Sequence, residues 1–249
     1  MPEIYPLTLV DSRMIAPGVR HLSFQRDDGG PFSFEPGQFI QVHFHYDDGR
    51  ATKRSYSVAT VQATPGAPVQ RIEIAVSYVE GGAATALFAA LKEGESIQAS
   101  GPYGRFCLME KDENRRYLLV ATGTGITPYR AMLPELERLM ATRGVEVVLL
   151  FGARNEGELL YGAEFEAFAA THPRFRFLPC FSRQPRQPAR ADDRQGYVQN
   201  VLPELHPDPQ GDIAYLCGNP NMVDACFALL KDCGLAIPHV RREKYVSSR

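Results

Sequence analysis

Several signals are missing from this sequence, and each absence excludes something. Its five cysteines (Cys107, Cys180, Cys217, Cys226 and Cys233) are odd in number and scattered. None sits in a C-x-x-C pair or the C-x4-C-x2-C spacing of an iron–sulfur ligand set, which argues against both disulfides and a metal cluster. The six histidines show no metal-ligand spacing either. Strong charge of one sign is absent: 27 basic against 29 acidic residues leave a net charge of -2, so nucleic acid is not the expected partner. The longest apolar run, around VEVVLLFGA, falls far short of the roughly 20 residues that span a bilayer. The opening stretch MPEIYPLTLVDSRM has no basic segment followed by an apolar one, so export is not expected and a cytoplasmic location is.

What is present points to two domains. The 249 residues exceed what one core usually occupies. Up to about residue 110 the chain reads as short strands broken by Gly, Pro and Asp. FIQVHFHY (39–46) and RIEIAVSYV (71–79) alternate with the period of half-buried strands, placing Ile72, Ile74, Val76 and Tyr78 on one face. Pro36-Gly37, Asp47-Asp48-Gly49 and Pro65-Gly66 read as turns. About six strands at this spacing predict a closed antiparallel barrel, interrupted by one short helix, AATALFAALKEG, with Leu87, Phe88 and Leu91 on one side.

After the charge run KDENRR (111–116) the rhythm changes. YLLVA, VEVVLLFGA, FRFLPCFS and IAYLCG are continuous apolar strands, and each precedes a helical pattern. That alternation predicts a doubly wound parallel sheet covered on both faces. Pro134 falls inside the first of these helices and predicts a kink or a late start. SRQPRQPARADDRQG (182–196) reads as a mobile loop.

Several stretches could carry chemistry, each with a plainer alternative. ATGTGITPYRAML (121–133) leads from a strand into a helix. There Gly123 and Gly125 would let a phosphate approach N–H donors at the helix start, though the same pattern serves a plain strand–helix turn. Its G-x-G-x-x-P spacing is not the general dinucleotide fingerprint. VEGGAATALF (79–88), with Gly82 and Thr85, is a second turn into a helix that suits a pyrophosphate. RSYSVAT (54–60) is either a partly exposed strand or a cofactor wall. In the second case Tyr56 stacks on a ring, Ser57 faces its reactive edge and Arg54 pairs with phosphate. YLCGNPNMV (215–223) ends a parallel strand, where catalytic groups concentrate, but no His or Lys adjoins Cys217 to make a thiolate. Arg183, Arg186, Arg190 and Arg194 form either a 2′-phosphate site or a solvated loop.

Taken in order, these motifs resemble the ferredoxin–NADP reductase family. Arg54-Ser55-Tyr56-Ser57 is similar to its R-x-Y-S flavin motif, and Gly82 to Thr85 to its flavin pyrophosphate turn. GPYGRF (101–106) resembles its barrel-closing segment, GTGITP (123–128) its nicotinamide-nucleotide loop and CGNPNMV (217–223) its nicotinamide segment. The resemblance implies a six-stranded FAD barrel over residues 1–110 and a five-stranded parallel NADP domain over 111–249, whose tail returns to the flavin. Arg54, Tyr56, Ser57, Gly82 and Thr85 would bind FAD. Gly123, Thr124, Gly125, Thr127, Gly218 and Met222 would bind NADPH, with Arg154, Arg183 and Arg194 on its adenosine side. Ser57 would lie near flavin N5 and Cys217 beside the nicotinamide C4, with Glu243 near the hydride path and Tyr245 stacked on the flavin. The family's terminal Glu-x-Tyr matches Glu243-Lys244-Tyr245, but Val246-Ser247-Ser248-Arg249 follow, as in bacterial members.

The activity so implied is hydride uptake from NADPH and delivery of single electrons to ferredoxin or flavodoxin. With no [2Fe–2S] cysteine set in the chain, the carrier is expected to be separate. Arg13, Arg20, Arg26, Lys53, Arg241, Arg242 and Lys244 could form an acidic-carrier docking patch on a monomer. Rival readings are the reductase component of an oxygenase, a free-flavin reductase, and a non-catalytic electron-relay or redox-sensing flavoprotein subunit.

Overall fold

The computed structural model describes residues 3–46, 48–109 and 113–246. Asp47 of the expected turn, the expected domain boundary at residues 110 and 111, and Ser247–Arg249 of the C-terminal extension lie outside the described residues. The described chain forms two compact units: residues up to Leu108 together with Thr127–Pro134, and Met109–Ile126 together with Glu135–Val246.

The first unit contains β1 (Ile4–Ala16), β2 (Val19–Arg26), β3 (Phe39–His45), β4 (Ala51–Ser57), β5 (Ile72–Ser77) and β6 (Ser96–Tyr103). They form one sheet in the order β4-β3-β6-β1-β2-β5, and every pairing is antiparallel. Alternation sets the faces: Ile40, Val42 and Phe44 of β3 and Ile72, Ile74 and Val76 of β5 point inward to meet Leu7, Leu9, Leu22 and Phe24. Beyond the end of β4 the chain reaches across to β5. Val58 bridges to Ile74, and the Ala59 amide donates to the Glu73 carbonyl at 2.7 Å. Two register shifts in β1, at Leu9/Asp11 and Met14/Ala16, supply the bend that such closure needs. The predicted helix is α1 (Ala83–Ala90), and it seats Phe88 and the following Leu91 in the barrel core.

The second unit is built on β7 (Arg116–Thr122), β8 (Glu146–Ala153), β9 (Phe175–Phe181), β10 (Arg194–Gln195), β11 (Asp212–Gly218) and β12 (Val240–Lys244). All its pairings are parallel, in the order β10-β9-β8-β7-β11-β12. The helices that follow Leu108 are α2 (Thr127–Arg143), of which only Glu135 onward belongs to the second unit, and α3 (Gly162–Thr171), α4 (Val198–Val201) and α5 (Pro220–Asp232). Every residue of β11 is buried, as expected for a strand covered on both faces.

Three sequence expectations need correction. The parallel sheet has six strands rather than five, because the two-residue β10 adds to the edge beyond β9. So short a strand leaves no periodic signal. The stretch 182–196 is not simply a solvated loop, because Arg186 is only 3% exposed and is ringed by Glu166 (2.7 Å), Glu156 (3.2 Å) and Asp193 (3.8 Å). Two of those acids lie far earlier in the sequence, so local composition could not reveal them. The helix expected over YVQNVLPEL is a single turn, α4, continued by a tighter turn over Leu202–Leu205. Pro134, by contrast, does not break α2, which runs 17 residues through it. Pro128 in its first turn and left-handed Gly144 (φ 66°) at its end mark the boundaries.

Candidate functional site

In the first unit the candidate residues lie along β4. Thr52, Arg54 and Tyr56 share its half-buried face while Lys53 and Ser55 point to solvent, and Ser57 is buried at the strand end. This is the period of two put to use, since alternate residues form one surface. The Tyr56 ring packs edge-on against Phe88 of α1 (5.2 Å, 82°), and burial pushes its hydroxyl pKa up to about 12. Arg54 is held by three hydrogen bonds. Nη1 donates to Thr52 Oγ1 and to the Lys53 carbonyl, both at 2.9 Å, and Nη2 donates to Tyr46 Oη at 2.8 Å. Gly82 precedes α1, whose start has no side-chain cap, and Thr85 Oγ1 accepts the Val79 amide at 2.8 Å.

These features fit a flavin diphosphate. The Nε–H of Arg54 has no partner among the described residues, and the first turn of α1 offers uncapped amides. Arg130, in the early part of α2, steadies the end of this strand. Its Nη1 donates to the Ala59 carbonyl at 2.7 Å and to Glu73 Oε2 at 2.6 Å. Sequence reading missed Arg130, Glu73 and Tyr46. The charges of the first two are remote in sequence, and Tyr46 looks like ordinary strand.

In the second unit the sites gather where the strand order reverses, between β7 and β11. Ligands bind doubly wound sheets at the carboxyl ends of strands flanking such a point. The turn after β7, Gly123–Ile126, lies against the end of β11 so closely that backbone replaces side chain. A Cβ on Gly125 would stand 2.3 Å from the Cys217 carbonyl oxygen. One on Gly218 would stand 2.5 Å from the Thr122 carbonyl oxygen, and its φ of +127° excludes other residues as well. α2 then starts with no side-chain cap, and Thr127 Oγ1, on a residue 2% exposed, has no partner among the described residues. An unpartnered buried hydroxyl beside uncapped amides fits a phosphate oxygen. α5, by contrast, is capped by its own Asn219, whose Oδ1 accepts the amides of Asn221 (2.9 Å) and Met222 (3.3 Å).

The structure brings three proposed catalytic residues together at this end of the sheet. Cys217 of β11 stands beside Glu243 of β12 in register, and the Tyr245 amide donates to the Gly218 carbonyl at 2.8 Å. Burial, and secondarily the Glu243 charge, push the Cys217 thiol well above its ordinary pKa, while a hydrogen bond with Tyr245 works the other way. The thiol therefore stays protonated at neutral pH, and no thiolate nucleophile is on offer.

The arginines sort differently. The Arg154 carbonyl accepts the amides of Arg183 (3.1 Å) and Gln184 (2.9 Å), so the ends of β8 and β9 bring these residues together. Arg154 forms a two-point pair with Glu158 (2.7 and 2.6 Å), whereas the Arg183 side chain is exposed and makes no ion pair among the described residues. Arg194 donates to the carbonyls of Ala191 (3.1 Å) and Asp193 (3.0 Å), and Arg190 pairs with Glu166 at 2.5 Å. Of the cations expected from sequence to dock a carrier, Arg20 is bound to the Leu91 carbonyl (3.1 Å) and Ser12 (2.6 Å), and Arg26 to Asp28 (2.6 Å). Lys244 pairs with Asp224 at 2.7 Å and Arg242 lies 3.7 Å over the Phe227 ring.

A cavity of about 880 Å³ lies at the opposite, amino-terminal edge of the parallel sheet. Two of its lining cations are already paired, Arg116 with Asp212 (2.6 Å) and Arg115 with Asp208 (3.2 Å).

A barrel and a parallel sheet whose candidate phosphate sites lie along β4 and at the β7/β11 reversal define a two-domain oxidoreductase. Residues 6–107 match the oxidoreductase FAD-binding domain family and residues 119–227 the oxidoreductase NAD-binding domain family. The chain is 37% identical over 250 residues to ferredoxin–NADP reductase B of Sorangium cellulosum, covering 98% of both sequences. It belongs to the ferredoxin–NADP reductase family, as a flavoprotein that binds FAD and a pyridine nucleotide. It is also 28% identical to the phenol hydroxylase P5 protein of Acinetobacter pittii, covering 98% of this chain and 66% of that one. The Amycolatopsis cytochrome P450 reductase GcoB superposes with a TM-score of 0.82 at 28% identity, over 98% of this chain and 71% of that one. No helix of the described residues is long and apolar enough to cross a membrane.

Proposed function

We propose that this protein takes hydride from NADPH and passes single electrons to a separate small carrier, ferredoxin or flavodoxin, in the cytoplasm. The observation that carries this reading is the glycine-only packing of the Gly125 turn against Cys217 and Gly218, next to the unpartnered Thr127 hydroxyl. When bound, FAD would supply the conversion of a two-electron donor into one-electron steps. The chain's part is placement. Arg54, Gly82 and Thr85 would hold the flavin phosphates and Tyr56 its ring, with Ser57 at its reactive edge. Gly123, Thr124, Gly125 and Thr127 would take the nicotinamide-nucleotide diphosphate, with Gly218 and Met222 beside its nicotinamide end. Cys217, kept neutral by burial, would line the nicotinamide site without competing as a nucleophile. Glu243 is proposed near the hydride path, and Tyr245 as the aromatic cover that the nicotinamide displaces. Arg183, exposed and beside Arg154, would grip a 2′-phosphate and favour NADPH over NADH.

A separate carrier is supported by full-length similarity to a ferredoxin–NADP reductase. Lys53 and Arg242 are proposed docking cations. Reversing both charges should raise KM for the carrier and flatten its salt dependence, and unchanged values would remove the patch from the account. A cytoplasmic location agrees with five cysteines that are all free thiols.

A second reading, the reductase component of an oxygenase, is favoured by the likeness to the phenol hydroxylase P5 protein and the cytochrome P450 reductase GcoB. This chain spans roughly two thirds to seven tenths of those proteins. The deciding experiment is a visible spectrum of the FAD-loaded protein, then stopped-flow reduction by NADPH and by NADH with and without ferredoxin. Rapid flavin bleaching by NADPH and onward transfer to ferredoxin are expected. A protein that stays colourless with added FAD would overturn the flavin assignment. Bleaching without ferredoxin transfer would favour the oxygenase or free-flavin reading.

A further inference from the structure

The β3–β4 hairpin carries a side-chain arrangement that no motif reading assigns. Tyr46 follows β3, and its amide donates to the Arg50 carbonyl at 3.0 Å, closing the hairpin. Its hydroxyl accepts Arg54 Nη2 at 2.8 Å from across the hairpin, while Thr52 Oγ1 accepts Nη1 at 2.9 Å. The Arg50 guanidinium lies 5.3 Å from the Tyr46 ring centroid and is itself anchored to Asp48 at 2.7 Å. The Arg54 guanidinium is also 5.9 Å from the Phe44 ring. Hydrogen bonds with Thr52 and with Arg54 lower the Tyr46 pKa, the direction expected of a phenol oxygen that accepts from a cation.

An arginine on a strand edge ordinarily samples many rotamers and must order itself when it meets an anion. Here two hydroxyls and a carbonyl engage the Nη1 and Nη2 ends of the fork, leaving Nε–H without a partner among the described residues. The ordering cost is met by the fold before ligand arrives.

Resting on the reading of Arg54 as the flavin-phosphate cation, we propose that Tyr46, assisted by Thr52, is a positioning residue that holds the Arg54 guanidinium ready for the diphosphate of FAD. The ligand contact belongs to Arg54, and Tyr46 acts only through it. Its effect is therefore confined to flavins that carry phosphate.

The test compares dissociation constants for FAD and for riboflavin, which has no phosphate, by quenching of flavin fluorescence on the full chain stripped of flavin. Tyr46→Phe removes the hydroxyl and keeps the ring. It should weaken FAD about 5- to 10-fold, the effect of losing one charge-assisted hydrogen bond, and leave riboflavin within about 2-fold. Thr52→Val should act in the same direction with a smaller effect. On an Arg54→Ala background, Tyr46→Phe should add nothing, since the residue it positions is gone. Equal weakening of FAD and riboflavin would mark Tyr46 as merely structural and overturn the proposal, as would unchanged FAD affinity or full additivity with Arg54→Ala. If wild-type protein binds neither flavin, the flavin reading itself falls and the proposal with it. If it binds FAD and Tyr46→Phe is silent, only the positioning role falls. A thermal melt of each variant separates misfolding from loss of the phosphate-specific effect.

Discussion

The two units hold their candidate phosphate sites by different means. Along β4 the barrel presents side chains, with Arg54, Tyr56 and Thr52 on one face and Tyr46 reaching across the hairpin. At the ends of β7 and β11 the parallel sheet presents backbone, with Gly125 against the Cys217 carbonyl and Gly218 against the Thr122 carbonyl. A side-chain site tolerates change one contact at a time, because each group is separately attached to a paired strand. A backbone site fails as a unit, because an added Cβ has nowhere to go and two strand ends must part.

That contrast can be broken most directly by Gly218→Ala. Its Cβ would stand 2.5 Å from the Thr122 carbonyl oxygen at a φ of +127°. Strain and overpacking together are expected to cost on the order of 3 kcal/mol, roughly a 10 °C drop in Tm by thermal melt. Thr52→Val, on the half-buried site face of β4, should cost only about 1 kcal/mol, the net worth of one hydrogen bond. Equal losses at the two positions would end the distinction between backbone and side-chain sites.

The next effect is on coenzyme choice rather than stability. Arg183→Ala should raise KM for NADPH by about 10-fold or more, the effect of losing a charge-assisted phosphate contact, and change KM for NADH little. Steady-state kinetics with both coenzymes check this, and equal losses would remove the 2′-phosphate role.

A smaller difference should show in alkali. Burial raises Cys180 and Cys226, in the parallel sheet, to about 12 from 9.0, and raises Tyr5 and Tyr56, in the barrel, to about 12 from 10.0. A folded-state pKa above the unfolded one gives stability that is full below the unfolded value and is lost as pH rises toward the folded value. The thiols therefore begin to withdraw stability above about pH 9 and the tyrosines only above about pH 10. Denaturant titrations should show a slope beginning near pH 9 that is reduced in a Cys180→Ala/Cys226→Ala variant and unaffected by Tyr56→Phe until about pH 10. The smallest effect belongs to neither site. Glu135→Ala breaks a surface pair with Arg138 (2.5 Å) and should cost about 0.5 kcal/mol or less by thermal melt.

Legibility in the sequence followed the range of the interaction. Ile72, Ile74 and Val76 announced a barrel strand because period-two burial is written locally, and the buried run IAYLCG announced a parallel one. Gly125 and Gly218 were legible as glycines, but not the reason for them, which is a carbonyl from another strand in each case. Arg186 read as a loop cation and is instead a buried hub for Glu156, Glu166 and Asp193. Arg130 read as an ordinary helix residue, although it binds the Ala59 carbonyl and Glu73. Charge composition says how many cations exist, not which are already paired.

By itself, then, the sequence determined the two folding rhythms, their order, and the glycine-marked turns where phosphate can approach, because strand period, turn chemistry and helix starts are set by neighbours within a few residues. Only the tertiary structure decided which side chains are available there. It drew Arg186 inward and left Arg183 exposed, and it set Cys217 beside Glu243. It also fastened Arg54 to Tyr46, because each of these outcomes depends on partners that meet only when separate strands pair or separate segments pack.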